Sequence, residues 1–341
     1  MTRFWLERQD RYLLAHQQSV ILMDLLIARD TKPDFFLRKT GLFYEDVASG
    51  SKHFSPKQFA QLCDNASQLP NSHDLAFLFG QRMLPGHFGS LSSGLQNAPS
   101  LRHALAFMDE FAILLFPLLA PKLRAYKEQL NVDFIDVFGV FTTTLLSKKH
   151  TKLALFLKNM TVTAIASLTS WLSQQSLPWS FSFDYPEPDN HAEYDVFLGQ
   201  ERCFSQAFTT ISIPESYLDL PWKMASPTLF QLALEESRQS LSKLEAQQSL
   251  LSLVSNQLNT QIRSLPSLEQ MSDALNLSPA TLKRKLKAHN TSYQKLCDQT
   301  RKRVSINLIN ELGYNEAQVA EYLNFYDVSN FRRSFKRWQL S

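Results

Sequence analysis

The strongest constraint on this chain is a pattern that occurs twice near its C-terminal end. Each copy is a short amphipathic helix, an Asn that stops it, and a second helix that carries cations but no acid. In the first copy, Leu268-Glu-Gln-Met-Ser-Asp-Ala-Leu follows Ser267, which is placed to cap a helix with Gln270 three residues on. Asn276 tolerates the left-handed backbone that a tight turn between helices needs. Leu277-Ser278-Pro279 then supplies an apolar anchor, a cap and a first helical residue that needs no amide partner. The helix that follows, Ala280 to His289, turns Leu282 and Leu286 inward and leaves Thr281, Lys283, Arg284, Lys285 and Lys287 outside.

The second copy lies 48 residues on up to its turn, and 49 residues on beyond it. Glu316-Ala-Gln-Val-Ala-Glu-Tyr-Leu leads to Asn324-Phe325 and then to a helix from Val328 to Trp338. Phe331 and Phe335 take the buried places of Leu282 and Leu286, while Ser329, Asn330, Arg332, Arg333, Lys336 and Arg337 are offered outward. A helix without carboxylates suits the major groove, where phosphates repel acids and long cationic side chains reach guanine acceptors. Between the copies, Tyr293 to Leu312 reads as a helix with Leu296, Val304, Leu308 and Leu312 as apolar positions. Twenty residues of helix span ~30 Å, close to the ~34 Å between successive major grooves on one face of DNA, so one monomer could occupy two grooves.

Charge follows the same division. Residues 258–341 hold thirteen Lys and Arg against seven Asp and Glu, a balance of +6 within a net charge of +3, so the rest of the chain carries −3. Cationic charge gathered into one quarter points to an anionic partner there. At 341 residues two domains are expected, and 44% apolar with 20% charged residues is the make-up of a folded globular chain.

The remainder reads as mixed α and β. Residues 20–130 have mostly helical spacing, residues 131–146 are rich in β-branched and aromatic residues, and residues 153–172 return to an amphipathic helix. Strands are expected at Tyr194–Leu198 and Ala207–Ile213. From Leu229 to Ile262 the chain has no Pro or Gly and reads as one long helix; Leu234, Leu241, Leu244, Leu251 and Leu258 form a stripe with coiled-coil spacing. That stripe suits packing against the preceding domain, with a homodimer seam as the alternative, and Gln248 and Ser255 weaken the heptad. The domain reading is therefore 1–225, a connecting helix over 226–262, and 263–341, the last divided into helix-turn-helix one (267–289), linker helix (293–312) and helix-turn-helix two (316–338). The fold class is α+β: a mixed N-terminal domain followed by an all-α C-terminal one.

Residues 262–338 resemble the C-terminal domain of the AraC/XylS family of transcription regulators. The resemblance rests on Leu277-Ser-Pro-Ala-Thr-Leu-Lys-Arg-Lys-Leu, on Tyr293-Gln-Lys-Leu with Arg301, and above all on Val319-Ala-Glu-Tyr-Leu-Asn-Phe-Tyr-Asp-Val-Ser-Asn-Phe-Arg-Arg-Ser-Phe-Lys-Arg-Trp. Gly89-Ser-Leu-Ser-Ser-Gly-Leu, Ala98-Pro-Ser-Leu-Arg-His-Ala-Leu and Phe204 to Leu220 resemble the arabinose-binding-type sensing domain of one branch of that family. The chain departs from the family pattern at Asn324, where Gly is usual, at Ser305, where Ala is usual, and beyond Trp338.

The resemblance implies base-edge contacts from Ala280, Lys283 and Arg284 in the first unit and from Val328, Ser329, Arg332 and Arg333 in the second, with Arg284 and Arg333 foremost. It implies phosphate contacts from Thr281, Lys287, Asn330, Lys336 and Arg337, and helix-turn-helix turns at Asn276 and Asn324. Double-stranded DNA and RNA polymerase are the implied partners, with an unidentified small effector on the N-terminal domain. Phe107, Phe111, Phe116, Phe134, Phe138 and Phe141 suit an apolar effector pocket or simply the core. The competing reading is a protein-interaction or sensory module whose shortened helix-turn-helix region has lost DNA binding.

No catalytic constellation is readable. There is no His-Glu-x-x-His, nucleophile elbow, phosphate loop or dinucleotide fingerprint, and Gly89-Ser-Leu-Ser-Ser-Gly lacks nucleophile spacing. Asp184, Asp189, His191, Glu193 and Asp195 crowd a Pro-rich turn that needs solvated polar residues, so neither a metal nor a cofactor is assigned. Cys63, Cys203 and Cys297 have no paired spacing, Met1 to Val20 offers no apolar export segment, and the most apolar stretch, Phe111 to Leu119, is far shorter than the roughly 20 residues a bilayer needs. The expectation is a cytoplasmic protein without a membrane span.

Overall fold

The computed structural model describes residues 4–50, 52–70, 73–140, 148–189 and 191–339. Its contacts divide the chain into unit 1, Met1–Val137 with Ser147–Gln247, and unit 2, Phe138–Leu146 with Gln248–Ser341. The division falls within the segment read as a connecting helix, not at either of its ends.

Unit 1 begins with β1 (Leu13–Leu14), α1 (Gln18–Ile27), α2 (Pro33–Phe36), α3 (Tyr44–Ala48), β2 (His53–Phe54), α4 (Pro56–Ser67) and α5 (Leu75–Met83). It continues through α6 (Ser90–Gln96), α7 (Leu101–Glu110), α8 (Ala112–Leu115), β3 (Leu119–Tyr126), β4 (Gln129–Asp136) and α9 (Lys148–Ser173). It closes with β5 (Ser180–Ser182), α10 (His191–Leu198), β6 (Arg202–Cys203), β7 (Thr210–Pro214), a 3-10 turn at Glu215–Tyr217, and α11 (Pro227–Ser242). Strands β1 and β2 pair by themselves; the larger sheet runs β3-β4-β7-β5-β6, antiparallel except between β5 and β6.

The core of this unit is α9. Leu153, Phe156, Leu157, Met160, Ile165 and Leu168 are all buried along it. Over Lys152–Ser173 it is long and apolar enough to cross a bilayer, yet 78% of that window is buried inside the unit, as expected of a core helix that is apolar on nearly every face. Helix α5 lies close against it: a Cβ on Gly80 would sit 2.3 Å from the Met160 carbonyl oxygen, so only glycine allows this approach.

Three expectations from local pattern fail in this region. Leu119–Tyr126, inside the stretch read as helical, is β3, because all eight of its residues pair in register with β4 across the turn at Lys127 and Glu128. Pro121 is tolerated there because β3 is an edge strand. Tyr194–Leu198, read as a strand, ends α10 instead; Tyr194 and Leu198, four apart, are the buried pair, and so short an apolar run does not distinguish the two structures by itself. Of the strand-like run 131–146, residues up to Asp136 belong to β4, and 141–146 lie outside the described residues. Phe141 is among these.

The third failure is the long helix. The chain leaves helical geometry after Ser242 and re-enters it as α12 (Leu250–Thr260) in unit 2. No Gly or Pro is needed for the break. Ser249 caps α12, its Oγ accepting from the Ser252 amide at 3.1 Å, and a serine that bonds the backbone in this way competes with a continuing helix. The leucine stripe is thus split: Leu241 is buried in unit 1, Leu251 and Leu258 in unit 2, and the single-helix dimer seam has no continuous backbone to carry it. Unit 2 then adds α13 (Leu268–Ala274), α14 (Pro279–Ala288), α15 (Tyr293–Asn310), α16 (Glu316–Tyr322) and α17 (Val328–Gln339), all helical as expected, with α15 ending before the exposed Leu312.

Candidate nucleic-acid interface

The two repeats build the same local structure bond for bond. At the start of α13, Ser267 Oγ accepts from the Gln270 amide at 3.2 Å while Gln270 Oε1 accepts from the Ser267 amide at 2.8 Å. At the start of α16, Asn315 and Gln318 make the equivalent pair at 3.0 and 2.9 Å. Asn276 and Asn324 both take left-handed backbone, φ +54° and +57°. Immediately after each, the Leu277 amide donates to the Ser272 carbonyl at 2.9 Å and the Phe325 amide to the Ala320 carbonyl at 2.8 Å. These are the same bond 48 residues apart, and the departure from Gly at Asn324 is accommodated because Asn adopts this region at modest cost.

Helix α14 is capped by Ser278, whose Oγ accepts from the Thr281 amide at 3.2 Å, with Pro279 as its first residue. Leu282 and Leu286 are fully buried. Ala280, Lys283, Arg284 and Lys287 are exposed; Thr281 is half-buried, and its hydroxyl bonds Ser278 Oγ at 2.9 Å. On α17, Ser329, Arg332, Arg333, Lys336 and Arg337 are exposed, while Val328 and Asn330 are half-buried. Phe331 is fully buried, but Phe335, expected inside, is only partly so: it packs on the rim of a cluster made by Ile262, Leu308, Val319, Ala320, Leu323, Phe331 and Trp338. Trp338, 2% exposed, closes that core against Phe325 and Phe335.

Helix α15 holds the unit together, packing on α12, α16 and α17. Its 18 residues span ~27 Å, somewhat short of the ~30 Å expected. Tyr293 Oη donates to the Pro266 carbonyl at 2.6 Å, and Arg301 lies 5.4 Å from the Phe325 ring centre. Ser305, where the family usually has Ala, is buried but satisfied, its hydroxyl donating to the Arg301 carbonyl at 2.8 Å.

Acids on neighbouring helices temper the cations, and the sequence reading missed them. Arg332 Nε donates to Glu316 Oε2 on α16, and an Arg337 guanidinium nitrogen lies 3.5 Å from Asp298 on α15. Arg333 donates to Asn330 Oδ1 at 2.7 Å, and Asn330 is itself held by Asp327, so this guanidinium is oriented in advance. In the first unit the Glu269 carboxyl is held below its usual range by its own amide and by Ser267, with the Lys283 charge adding to the effect. Glu269 and Glu316 each stand in the first turn of the helix before the second helix of its unit. That placement is the signal sequence reading could have used.

The far end of α14 is closed by chain from a distant part of the sequence. His289, 1% exposed, has its Nδ1 3.0 Å from the Phe138 carbonyl oxygen, and its ring stacks near that of Phe138. Gly139 (φ +72°) follows; a Cβ there would come within 2.2 Å of the His289 carbonyl oxygen. Phe138 is therefore part of unit 2's core, not a wall of an N-terminal pocket. Phe107, Phe111, Phe116 and Phe134 are buried in unit 1, where Phe107 and Phe111 meet at 4.5 Å between ring centres.

Two helix-turn-helix units on a shared linker helix, behind a mixed α and β unit, define a class of two-part regulators. Residues 31–222 match the arabinose-binding N-terminal domain of the AraC transcription regulator, and the chain belongs to this family of transcription regulators. The ornithine utilization regulator of Pseudomonas aeruginosa is 27% identical over 297 residues, 86% of this chain and 84% of that protein. An uncharacterized HTH-type transcriptional regulator of Mycobacterium bovis is 25% identical over 136 residues, 40% of each chain. The crystal structure of transcriptional regulator CdpR from Pseudomonas aeruginosa aligns over 95% of each chain at 18% identity with a TM-score of 0.42, a level that says nothing further about this one. The named relatives are regulators rather than enzymes.

Proposed function

We propose that this protein regulates transcription by placing α14 and α17 in successive major grooves of double-stranded DNA, under the control of a small effector bound by its N-terminal domain. The observation that carries this reading is the pair of acid-free helices, each set by the same cap, the same left-handed Asn and the same turn bond. Ala280, Lys283 and Arg284, with Val328, Ser329, Arg332 and Arg333, read base edges. Thr281, Lys287, Asn330, Lys336 and Arg337 hold the phosphates and fix register. RNA polymerase is the further partner this reading implies. An effector acts by binding two states of the protein with different affinity, and the name of the Pseudomonas relative makes small nitrogenous metabolites a class to test.

The test is fluorescence anisotropy on duplexes from upstream of the protein's own gene, across a range of salt, beside an Arg284→Ala/Arg333→Ala variant. Each Arg that is bidentate to guanine contributes ~1–3 kcal/mol of discrimination, so the variant should lose sequence preference while keeping a salt slope. Lys287→Ala or Lys336→Ala should instead weaken all sequences alike. Absent binding would point to an interaction module with no DNA role, and selectivity untouched by the double change would remove Arg284 and Arg333 as the base readers.

A further inference from the structure

Unit 1 carries a cleft of about 400 Å³ lined by Glu187, Gln200, Arg202, Phe204 and Ser205. Resting on the reading that this unit senses an effector, we infer that the cleft binds a small organic cation, a primary amine, rather than a neutral sugar or an acid.

Charge selects the sign. Arg202 is neutralised inside the fold: its guanidinium meets Asp195 at 2.5 Å and donates to the Gly199 carbonyl, with only 10% of the side chain exposed. Glu187 is exposed at the cleft. Glu187, Asp195 and Arg202 together sum to −1, so an entering cation meets attraction and an anion meets repulsion.

Hydrogen bonding selects the group. Gln200 Nε2 donates one of its two hydrogens to Asp195 at 2.8 Å, and its Oε1 is an acceptor. With the Glu187 carboxylate and the Ser205 hydroxyl, the cleft offers three acceptors, the complement of an ammonium that has three donors and accepts nothing. The Phe204 ring adds an aromatic face for the cation or its methylenes, and it is held rigidly by Phe183 at 5.3 Å and Tyr194 at 5.4 Å.

The backbone of the cleft is strained. Ser205 takes φ +56°, held there by its amide bond to the Tyr185 carbonyl at 2.9 Å and by the Gln206 amide bond to the Phe183 carbonyl at 2.8 Å.

Calorimetric titration of the full-length protein with putrescine, L-ornithine, L-arabinose and glutarate, an acid without an amine, tests the inference. At least one amine should bind, and the sugar and the acid should not. Glu187→Gln, an exposed change, should weaken amine binding about 2- to 5-fold, as should Phe204→Leu with its fold checked by thermal melting, whereas Glu235→Gln on α11 should leave it unchanged. Failure of both amines to bind, tighter binding of the sugar or the acid, or amine binding indifferent to Glu187→Gln overturns the inference. DNA anisotropy on the same samples separates the two claims: DNA binding without amine binding removes the cleft alone, and amine binding without DNA binding removes the regulator reading alone.

Discussion

Arg332, proposed above as a base reader, is the one held by an acid on a neighbouring helix, and that acid can be removed. Glu316 is the first residue of α16, and its carboxylate accepts from Arg332 Nε. The two side chains are 46% and 62% exposed, so the pair sits in water and contributes about 0.2–1 kcal/mol. If Arg332 must leave Glu316 to reach DNA, that energy opposes binding. Glu316→Gln should therefore tighten operator binding about 1.5- to 5-fold. The same change removes an acid from a helix N-terminus, where it contributes roughly 0.3–1 kcal/mol through the dipole, so stability should fall by about 0.5–2 kcal/mol in total. Affinity and stability thus move in opposite directions, which a general loosening of the unit would not produce. Anisotropy at rising salt gives the first quantity and denaturant melts the second; the affinity gain should shrink with salt as the exposed pair is screened. In an Arg332→Ala background the gain should vanish, since the partner it releases is gone. Equal or weaker DNA binding by Glu316→Gln, or a gain that persists without Arg332, would refute the reasoning.

Other outcomes follow from the same structure. Gly139→Ala should destabilise unit 2 by more than about 1 kcal/mol, because φ is +72° and the new Cβ meets the His289 carbonyl oxygen; chemical denaturation reads the loss, and a neutral result would mean that segment is not seated on His289. Alkylation at neutral pH followed by mass spectrometry should modify the exposed Cys203 well before Cys63 or Cys297, whose thiols burial pushes up; early labelling of Cys63 would contradict its placement in the core. Asp219 is held below the usual carboxylate range by its hydrogen bond from Arg102, so its contribution is full above that range and fades as pH falls through it. An Asp219→Asn variant should accordingly differ from the parent protein in melting temperature at pH 7 and converge with it in strong acid.

Unit 2 was legible in the sequence because its determinants are local. Caps, a left-handed Asn, an apolar pair four apart and an absence of acids all act within one or two turns of helix, so Ser267, Asn276, Leu282 and their counterparts near Asn324 announce both helix-turn-helix units directly. The mixed character of unit 1 and the existence of α9 were legible for the same reason, but residues 153–172 read as amphipathic, and that the helix is buried on most of its faces was decided by the elements packed around it. Tertiary structure alone decided what depends on partners far along the chain. Leu119–Tyr126 became a strand because β4 supplied its hydrogen bonds, and the apparent 229–262 helix was split because each half found a different core to bury its leucines. Phe138 joined unit 2 through His289, 151 residues away, and Arg332 found Glu316 on another helix. A propensity of a few tenths of a kcal/mol per residue sets what a segment prefers alone; burial of whole side chains, at ~1.5–3 kcal/mol each, decides where it ends up.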